Sequence, residues 1–340
     1  MKTLDKKIEI LSLLPEEIAE FIPNEPSFHT VQIFEWLHAK RIKSFGEMTN
    51  LSKPLRAQLE DLFYIPQTEV VERLISKSDD TEKFLLKLGD AYVESVRMSY
   101  NHGDSVCIST QAGCKMGCTF CASAGNFQRN LTAGEYCSQV YNAGIVSSIV
   151  IMGCGEPLDN FASTFRFIEL MTHPAGSNTS KRNITLSTCG IVPKIYQLAK
   201  YRLKITLAIS LHAPTDDVRR ELMPIAKKYS IKELIAACRH YAAITGRRIT
   251  FEYALMKGIN DSPAQARDLA KLVQGMPCHV NIIPMNETTK SGLSPTLPKG
   301  IRAFADILIE NGINTTLRRS LGASINAACG QLRAHHEAKT

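Results

Sequence analysis

The chain has 340 residues, 44% of them hydrophobic, and a formal net charge of +7. That is enough apolar material for one large domain, or a large one with a small companion, while no apolar run approaches the ~20 residues a membrane-spanning helix needs. The opening Met1-Lys-Thr-Leu-Asp-Lys-Lys7 lacks a signal-peptide stretch, so a cytoplasmic setting is expected, in which the ten cysteines read as metal ligands or catalysts rather than a disulfide framework.

Residues 1–75 read as short helices. Val31, Phe34 and Leu37 fall at helical spacing, and Ser52 is a plausible N-cap for a helix opening at Lys53-Pro-Leu. The run Lys40-Arg41-Ile42-Lys43 is a solvated face or a contact for phosphates. From about residue 83 the period changes: 83–100 alternates apolar and polar residues around Gly89-Asp90, the pattern of a β-hairpin. Beyond it, strands are expected at 105–110, 147–152, 183–187, 204–210, 248–253, 279–283 and 315–319. Amphipathic stretches of helix length lie between most of them, including 133–143 and 263–272. This order predicts an α/β fold, a parallel sheet closed or nearly closed into a TIM-like barrel.

Cys114, Cys118 and Cys121 stand in C-x3-C-x2-C spacing just after the first of those strands. A structural zinc site takes four protein ligands and an ordinary iron–sulfur cluster four cysteines. No fourth cysteine follows at close range, since Cys137 lies inside an expected helix. Three thiolates on a four-iron cluster leave one iron open, which is a place for chemistry. A zinc knuckle or incidental core cysteines are the plain alternatives. Gly155-Glu156, Ser187, Ser210-Leu211-His212 and Asn286 each follow a different expected strand, at the end where parallel barrels build active sites.

With these residues in view, the chain resembles the RlmN/Cfr family of radical S-adenosylmethionine (SAM) RNA methyltransferases over nearly its whole length. The resemblance is carried by Gln32-Ile-Phe-Glu-Trp-Leu37, Phe45-Gly-Glu-Met-Thr-Asn-Leu-Ser52, Cys107-Ile-Ser-Thr-Gln-Ala-Gly-Cys114 and Arg129-Asn-Leu-Thr132. It continues through Gly155-Glu-Pro-Leu158, Leu186-Ser-Thr188, Ser210-Leu-His-Ala-Pro214 and Ala327-Ala-Cys-Gly-Gln-Leu332. It implies a partial TIM-like (β/α)6 barrel at 83–340, a connecting β-hairpin, and a helical RNA-binding accessory domain at 1–82. It implies a [4Fe-4S] cluster on Cys114, Cys118 and Cys121, and SAM contacts at Gly155, Glu156, Ser187, Ser210, Leu211, His212 and Asn286. Cys329 would carry a methyl group, Cys107 would act as base and close a disulfide with Cys329 to release product, and Glu94 would accept a proton. The expected partners are 23S ribosomal RNA, with transfer RNA as a second substrate, and an electron donor such as flavodoxin or ferredoxin. The expected state is a monomer with no membrane association.

The chain departs from that pattern at several places. Cys154 stands where the family has Met, Ala226 where it has Asn, and Gly322-Ala-Ser-Ile325 where it has Gly-x-Asp-Ile. The Pro-Trp-Asn-Pro loop reads Pro284-Met-Asn-Glu287, and the segment between Cys121 and Arg129 is one residue shorter. No catalytic residue is removed, but which RNA, which adenine, and C2 or C8 are left open, with C2 the expectation. The competing readings are a radical SAM enzyme acting on something other than RNA, and a metal-dependent RNA-binding protein without enzymatic activity. Cys137, Cys154, Cys189, Cys238 and Cys278 read as structural.

Overall fold

The computed structural model describes residues 7–285, 292–318, 322 and 325. The first elements are a short strand β1 (Ile8–Glu9) and helix α1 (Pro15–Phe21), which has proline in its first turn and the Glu17 carboxylate accepting the Leu14 N–H at 2.8 Å. Next come α2 (Ser27–His38) and α3 (Lys53–Leu62). The Ser52 hydroxyl accepts the Leu55 N–H at 3.3 Å, so the expected cap is formed. The buried stripe of α2 is Thr30, Ile33, Phe34 and Leu37; Val31, expected on it, is 38% exposed. The chain then forms β2 (Phe63–Tyr64), parallel to β1.

Strand β3 (Thr68–Ile75) occupies residues expected to continue the helices. It is half exposed along its length at the edge of the sheet, so its pattern lacks clean alternation. It pairs antiparallel with β4 (Glu82–Leu88), which pairs with β5 (Ala91–Met98) across the Gly89-Asp90 turn, where Gly89 has φ of 60°. The division expected at 82/83 therefore passes through a three-stranded antiparallel unit.

The remaining strands and helices alternate. They are β6 (Ser105–Cys107), a small ladder of β7 (Gln111–Cys114) and β8 (Gly125–Asn130), α4 (Ala133–Asn142), β9 (Ser148–Ile151) and α5 (Phe161–Thr172). Then follow β10 (Ile184–Thr188), α6 (Val192–Lys200), β11 (Thr206–Ser210), α7 (Asp216–Leu222) and α8 (Ile231–Thr245). The last are β12 (Ile249–Leu255), α9 (Pro263–Val273), β13 (Cys278–Pro284), α10 (Pro298–Glu310) and β14 (Thr315–Leu317). Sequence expectations for this part agree to within a few residues, although the first strand ends at Cys107 and the chain re-forms a ladder at Gln111.

One ten-stranded sheet runs β14-β13-β12-β11-β10-β9-β6-β5-β4-β3. Pairing is parallel from β6 through β14 and antiparallel from β6 out to β3. Alternation assigns the two faces. Ile184, Leu186 and Thr188 are buried, whereas Thr185 and Ser187 between them are only half buried. The helix-packed face is mainly apolar, with Ile149, Leu207, Ile209, Phe251 and Ile282 at 0% exposure. The opposite, inner face is small and polar. Register aligns Lys83, Val96, Cys107, Val150 and Thr185 in one row across five strands. It aligns Ser210, Glu252, Asn281 and Thr316 in another.

The amino-terminal elements share the same apolar core, since Ile10, Phe34 and Leu59 belong to one cluster with Phe167 and Leu207. Polar joints add to it: the Thr132 hydroxyl donates to Glu9 at 2.8 Å, and His38 Nδ1 lies 2.7 Å from the Tyr141 hydroxyl.

Candidate active site

The loop bearing the three cysteines is pinched at its base by the β7–β8 ladder, which pairs Gln111 with Asn130 and Cys114 with Gly125. Gly113 makes this possible. Its φ is 81°, and a Cβ there would lie 2.1 Å from the Asn126 carbonyl oxygen. The Cys121 N–H donates to the Cys118 carbonyl at 3.1 Å. The loop is held on the barrel by Thr119, whose N–H donates to the Leu222 carbonyl at 3.0 Å, and by Phe120, whose ring meets the His212 ring edge-on at 4.7 Å.

All three cysteines are half buried. Burial pushes the Cys114 and Cys118 thiols up to about 12, and neighbouring cysteines add to it, while the Arg219 charge acts the other way on Cys118. Thiolates in such a place form when a metal replaces their protons. Among the described residues no three His, Cys, Asp or Glu side chains are grouped to hold a single ion. A polynuclear cluster does not ask its ligands to converge on one point. Three soft thiolate donors on a loop with no histidine or carboxylate fit iron–sulfur chemistry.

Beyond β6 the chain runs beside the exit of β9. The Ile108 N–H donates to the Val150 carbonyl at 3.0 Å, Gly153 to Ile108 at 2.9 Å, and Thr110 to Cys154 at 2.7 Å. Glycine is required at two of these contacts. A Cβ on Gly153 would lie 2.6 Å from the Ile108 oxygen, and one on Gly155, at φ of 102°, 2.5 Å from Thr110 Oγ1. Cys154 joins this junction through its backbone, its N–H donating to Ser109 Oγ at 3.0 Å, so exchange of Met for Cys leaves these bonds in place.

The structure brings Gly155, Glu156, Ser187, Ser210, Leu211 and His212 to the same rim, on the loops and strand ends after β9, β10 and β11. Two of them carry internal duties. The Glu156 carboxylate is buried and accepts the Leu158 N–H at 3.0 Å and the Cys189 N–H at 2.7 Å, so it clamps the loops after β9 and β10 together. Burial raises its pKa and those amides pull it back. His212 adopts φ of 54°, its Nδ1 accepts the Ala254 N–H at 2.9 Å, and burial lowers its pKa to about 3. It is therefore a neutral imidazole fixing the rim.

Three supports escaped the sequence reading. Asn260, fully buried, donates to the His212 and Ala254 carbonyls and accepts the Met256 N–H, each at 2.7 Å. Arg219, also fully buried, donates from Nη2 to the Cys189 and Ser210 carbonyls at 2.7 and 3.2 Å and from Nε to Leu211 at 3.2 Å. Its segment, Asp216-Asp-Val-Arg-Arg220, is mostly charged and carries no sequence signal that this arginine is buried. Lys83, at 0% exposure, pairs with Glu94 at 3.0 Å. A lysine inside an otherwise apolar alternation was the available signal for it.

Glu94, although on a hairpin strand, is itself only 5% exposed. Val96, its neighbour on the same face of β5, pairs directly with Cys107. Cys107 sits among Val96, Met98, Val150 and Met152. Cys329 and Asn286 lie outside the described residues. The Arg129-Asn-Leu-Thr132 segment is structural. Arg129 grips both oxygens of Glu135 at 2.7 and 2.8 Å and Asp90 at 2.8 Å, tying the hairpin to α4, and Thr132 caps that helix.

A parallel barrel carrying a three-cysteine loop after its first strand and a rim of polar turns is the layout of a radical SAM domain. The family model for the radical SAM superfamily matches residues 108–270, and that for the ribosomal RNA large subunit methyltransferase N-terminal domain matches residues 8–65. The chain is 47% identical over 336 residues, covering 96% of this chain and 98% of the relative, to a protein of Clostridium novyi named "Probable dual-specificity RNA methyltransferase RlmN". A protein of the same name from Alkaliphilus oremlandii is 49% identical, with 97% and 99% covered. The solved structure of a radical SAM methyltransferase from Sphaerobacter thermophilus superposes with a TM-score of 0.90 at 40% identity, covering 95% of this chain and 98% of that one. The chain belongs to the RlmN family of radical SAM methyltransferases, and its cofactors are a [4Fe-4S] cluster and SAM.

Proposed function

We propose that the chain methylates a ring carbon of adenine, C2 in preference to C8, in 23S ribosomal RNA and in transfer RNA, through a methyl group carried on Cys329. The observation that carries this reading is the inner-face row that pairs Cys107 with Val96, two residues along the strand from the ion-paired Glu94, on the strand that precedes the cysteine loop. A generic radical SAM enzyme needs neither a thiol nor an ion-paired carboxylate there. The RNA substrate is supported by the relatives' name, dual-specificity RNA methyltransferase.

Bound on Cys114, Cys118 and Cys121, the cluster with SAM supplies a 5′-deoxyadenosyl radical, which an unactivated adenine carbon requires because it is too poor a nucleophile to take a methyl cation. The chain's own residues do the rest. Cys329, as a thiolate, takes a methyl group on sulfur from one SAM, releasing S-adenosylhomocysteine, and after giving one hydrogen atom of it to the 5′-deoxyadenosyl radical from a second SAM presents a carbon radical to the ring. Glu94, ion-paired to Lys83, or Cys107 receives the proton leaving the ring carbon. The adduct's one surplus electron would return to the cluster that gave one up; the Cys107 thiolate then forms an S–S bond to Cys329 as the bond from Cys329 to the carbon breaks, and the freed carbon takes up the proton removed from the ring, so the product departs with its new methyl group. Glu156, Asn260 and Arg219 keep the rim in shape for Gly155, Ser187, Ser210, Leu211, His212 and Asn286 to contact SAM.

Residues 1–82 would hold RNA and 83–340 carry the chemistry, with the chain acting as a monomer and a flavodoxin or ferredoxin supplying electrons. In the basic run, Arg41 is occupied by the Gly144 carbonyl at 2.7 Å, leaving the exposed Lys40 and Lys43 for phosphates. The test is nucleoside analysis of ribosomal and transfer RNA from cells with and without the gene. 2-Methyladenosine is expected only with it; equal levels of 2-methyl- and 8-methyladenosine in both would reject the activity. A Cys107→Ala variant should retain a covalent protein–RNA adduct, and its release of free methylated RNA would remove Cys107 from the mechanism.

A further inference from the structure

We propose that Arg219 donates a hydrogen bond from Nη1 to the Cys118 sulfur of the assembled cluster and thereby raises the cluster's reduction potential. The inference rests on the reading that Cys114, Cys118 and Cys121 hold that cluster. It starts from an imbalance at a fully buried cation. Nε and Nη2 of Arg219 are engaged by the carbonyls of Leu211, Cys189 and Ser210, whereas Nη1 is buried with no partner among the described residues. A buried unpaired donor on a charged group is costly enough to call for an explanation.

The cation also lacks a committed anion. The groups whose charge it feels are Cys189, Cys118, Asp216 and Cys238. The Asp216 carboxylate already accepts the Ile231 N–H at 2.8 Å. Cys238 is fully buried in the apolar core. Cys189 meets the guanidinium through its backbone carbonyl, which accepts from Nη2 rather than from Nη1, while its N–H is taken by Glu156 at 2.7 Å. Cys118 remains, and it becomes an anion when it binds iron.

The arrangement of elements agrees. α7 carries Arg219, and its last carbonyl, at Leu222, receives the Thr119 N–H of the cysteine loop. Cys118, Phe120 and Met116 pack with Cys189, Leu222 and Met223 in one apolar cluster. Arg219 therefore stands behind the cluster loop and is shielded from water. A hydrogen bond and a positive charge at a ligand sulfur favour the reduced state, which carries one more negative charge. Arg219 is on this view both a strut for two strand ends and a tuner of the electron acceptor.

The experiment uses the full chain, reconstituted anaerobically with iron and sulfide and studied without SAM. In protein grown on ¹⁵N-arginine, pulsed EPR of the reduced cluster should show ¹⁵N hyperfine coupling, which Arg219→Lys should abolish. An EPR redox titration of Arg219→Lys should show the ratio of reduced to oxidised cluster at fixed potential falling about tenfold, equivalent to a midpoint about 60 mV lower for one electron. A strut alone would change folding without moving either reading. Absence of ¹⁵N coupling in the unaltered protein overturns the proposal whether or not the variant folds. Coupling that persists in an iron-loaded Arg219→Lys protein also overturns it, as does an unchanged midpoint. A wild-type chain that assembles no cluster rejects the site reading and the proposal together.

Discussion

Three buried backbone groups end on the side chain of Asn260, two carbonyls and one N–H. Asn260→Ala is expected to destabilise the protein by about 2–4 kcal/mol, since each stranded polar group carries a desolvation penalty, with urea-unfolding midpoints as the measurement. Asn260→Asp keeps one acceptor and loses both donations, so it should not restore stability. Residue types at the rim were legible because glycine, serine and histidine recur at strand ends, but their duties were not. Glu156 and His212 matched positions expected to meet SAM, yet the Glu156 carboxylate and His212 Nδ1 are engaged by protein amides. A sequence does not show which backbone N–H a carboxylate will find, because that depends on loops brought together by the sheet.

At the scale of elements, the parallel strands and their helices were readable since each has a buried apolar face. The β7–β8 ladder and β3 were not. The ladder lies in a loop without alternation and owes its pairing to its tertiary setting, and β3 is a half-exposed edge. The ladder gives a sharp expectation for Gly113→Ala. The added methyl would meet backbone at Asn126 and adopt an unfavourable φ, so the loop must open. Iron bound per chain after reconstitution should fall several-fold while far-UV circular dichroism stays near that of the parent. Gly125→Ala, which meets nothing within 4 Å, isolates the effect of φ at 82° from that of the clash and should retain more iron.

Over the whole molecule, the amino-terminal helices and the barrel share one core and are joined by buried polar groups. His38 is central to that joint. It is fully buried, stacked on Phe34, and burial lowers its pKa from 6.5 to about 3, as it does for His212. An unfolded chain binds protons at both sites below pH 6.5, and the folded one does not until about pH 3. Their contribution is therefore complete above 6.5 and declines as the pH falls, at up to about 1.4 kcal/mol per pH unit for each histidine. Unfolding measured between pH 7 and 5 should show this loss. His38→Gln should be less stable at pH 7 but show a shallower slope, by about one proton; an unchanged slope would remove His38 from the account.

The site also divides by the length of chain needed to assemble it. The hairpin that pairs Lys83 with Glu94 and the ladder that closes the cysteine loop join residues near in sequence. The alignment of Cys107 with β9, and of Ser210 with Glu252, waits for distant strands to meet. A chain caught partway through folding can thus present the iron-binding loop and the ion pair without the rim that gives them a purpose. Colour and iron content would score such a species as sound protein. Nucleoside product, or a spectral response to SAM, is the measure that distinguishes a finished enzyme from a loaded but unassembled one.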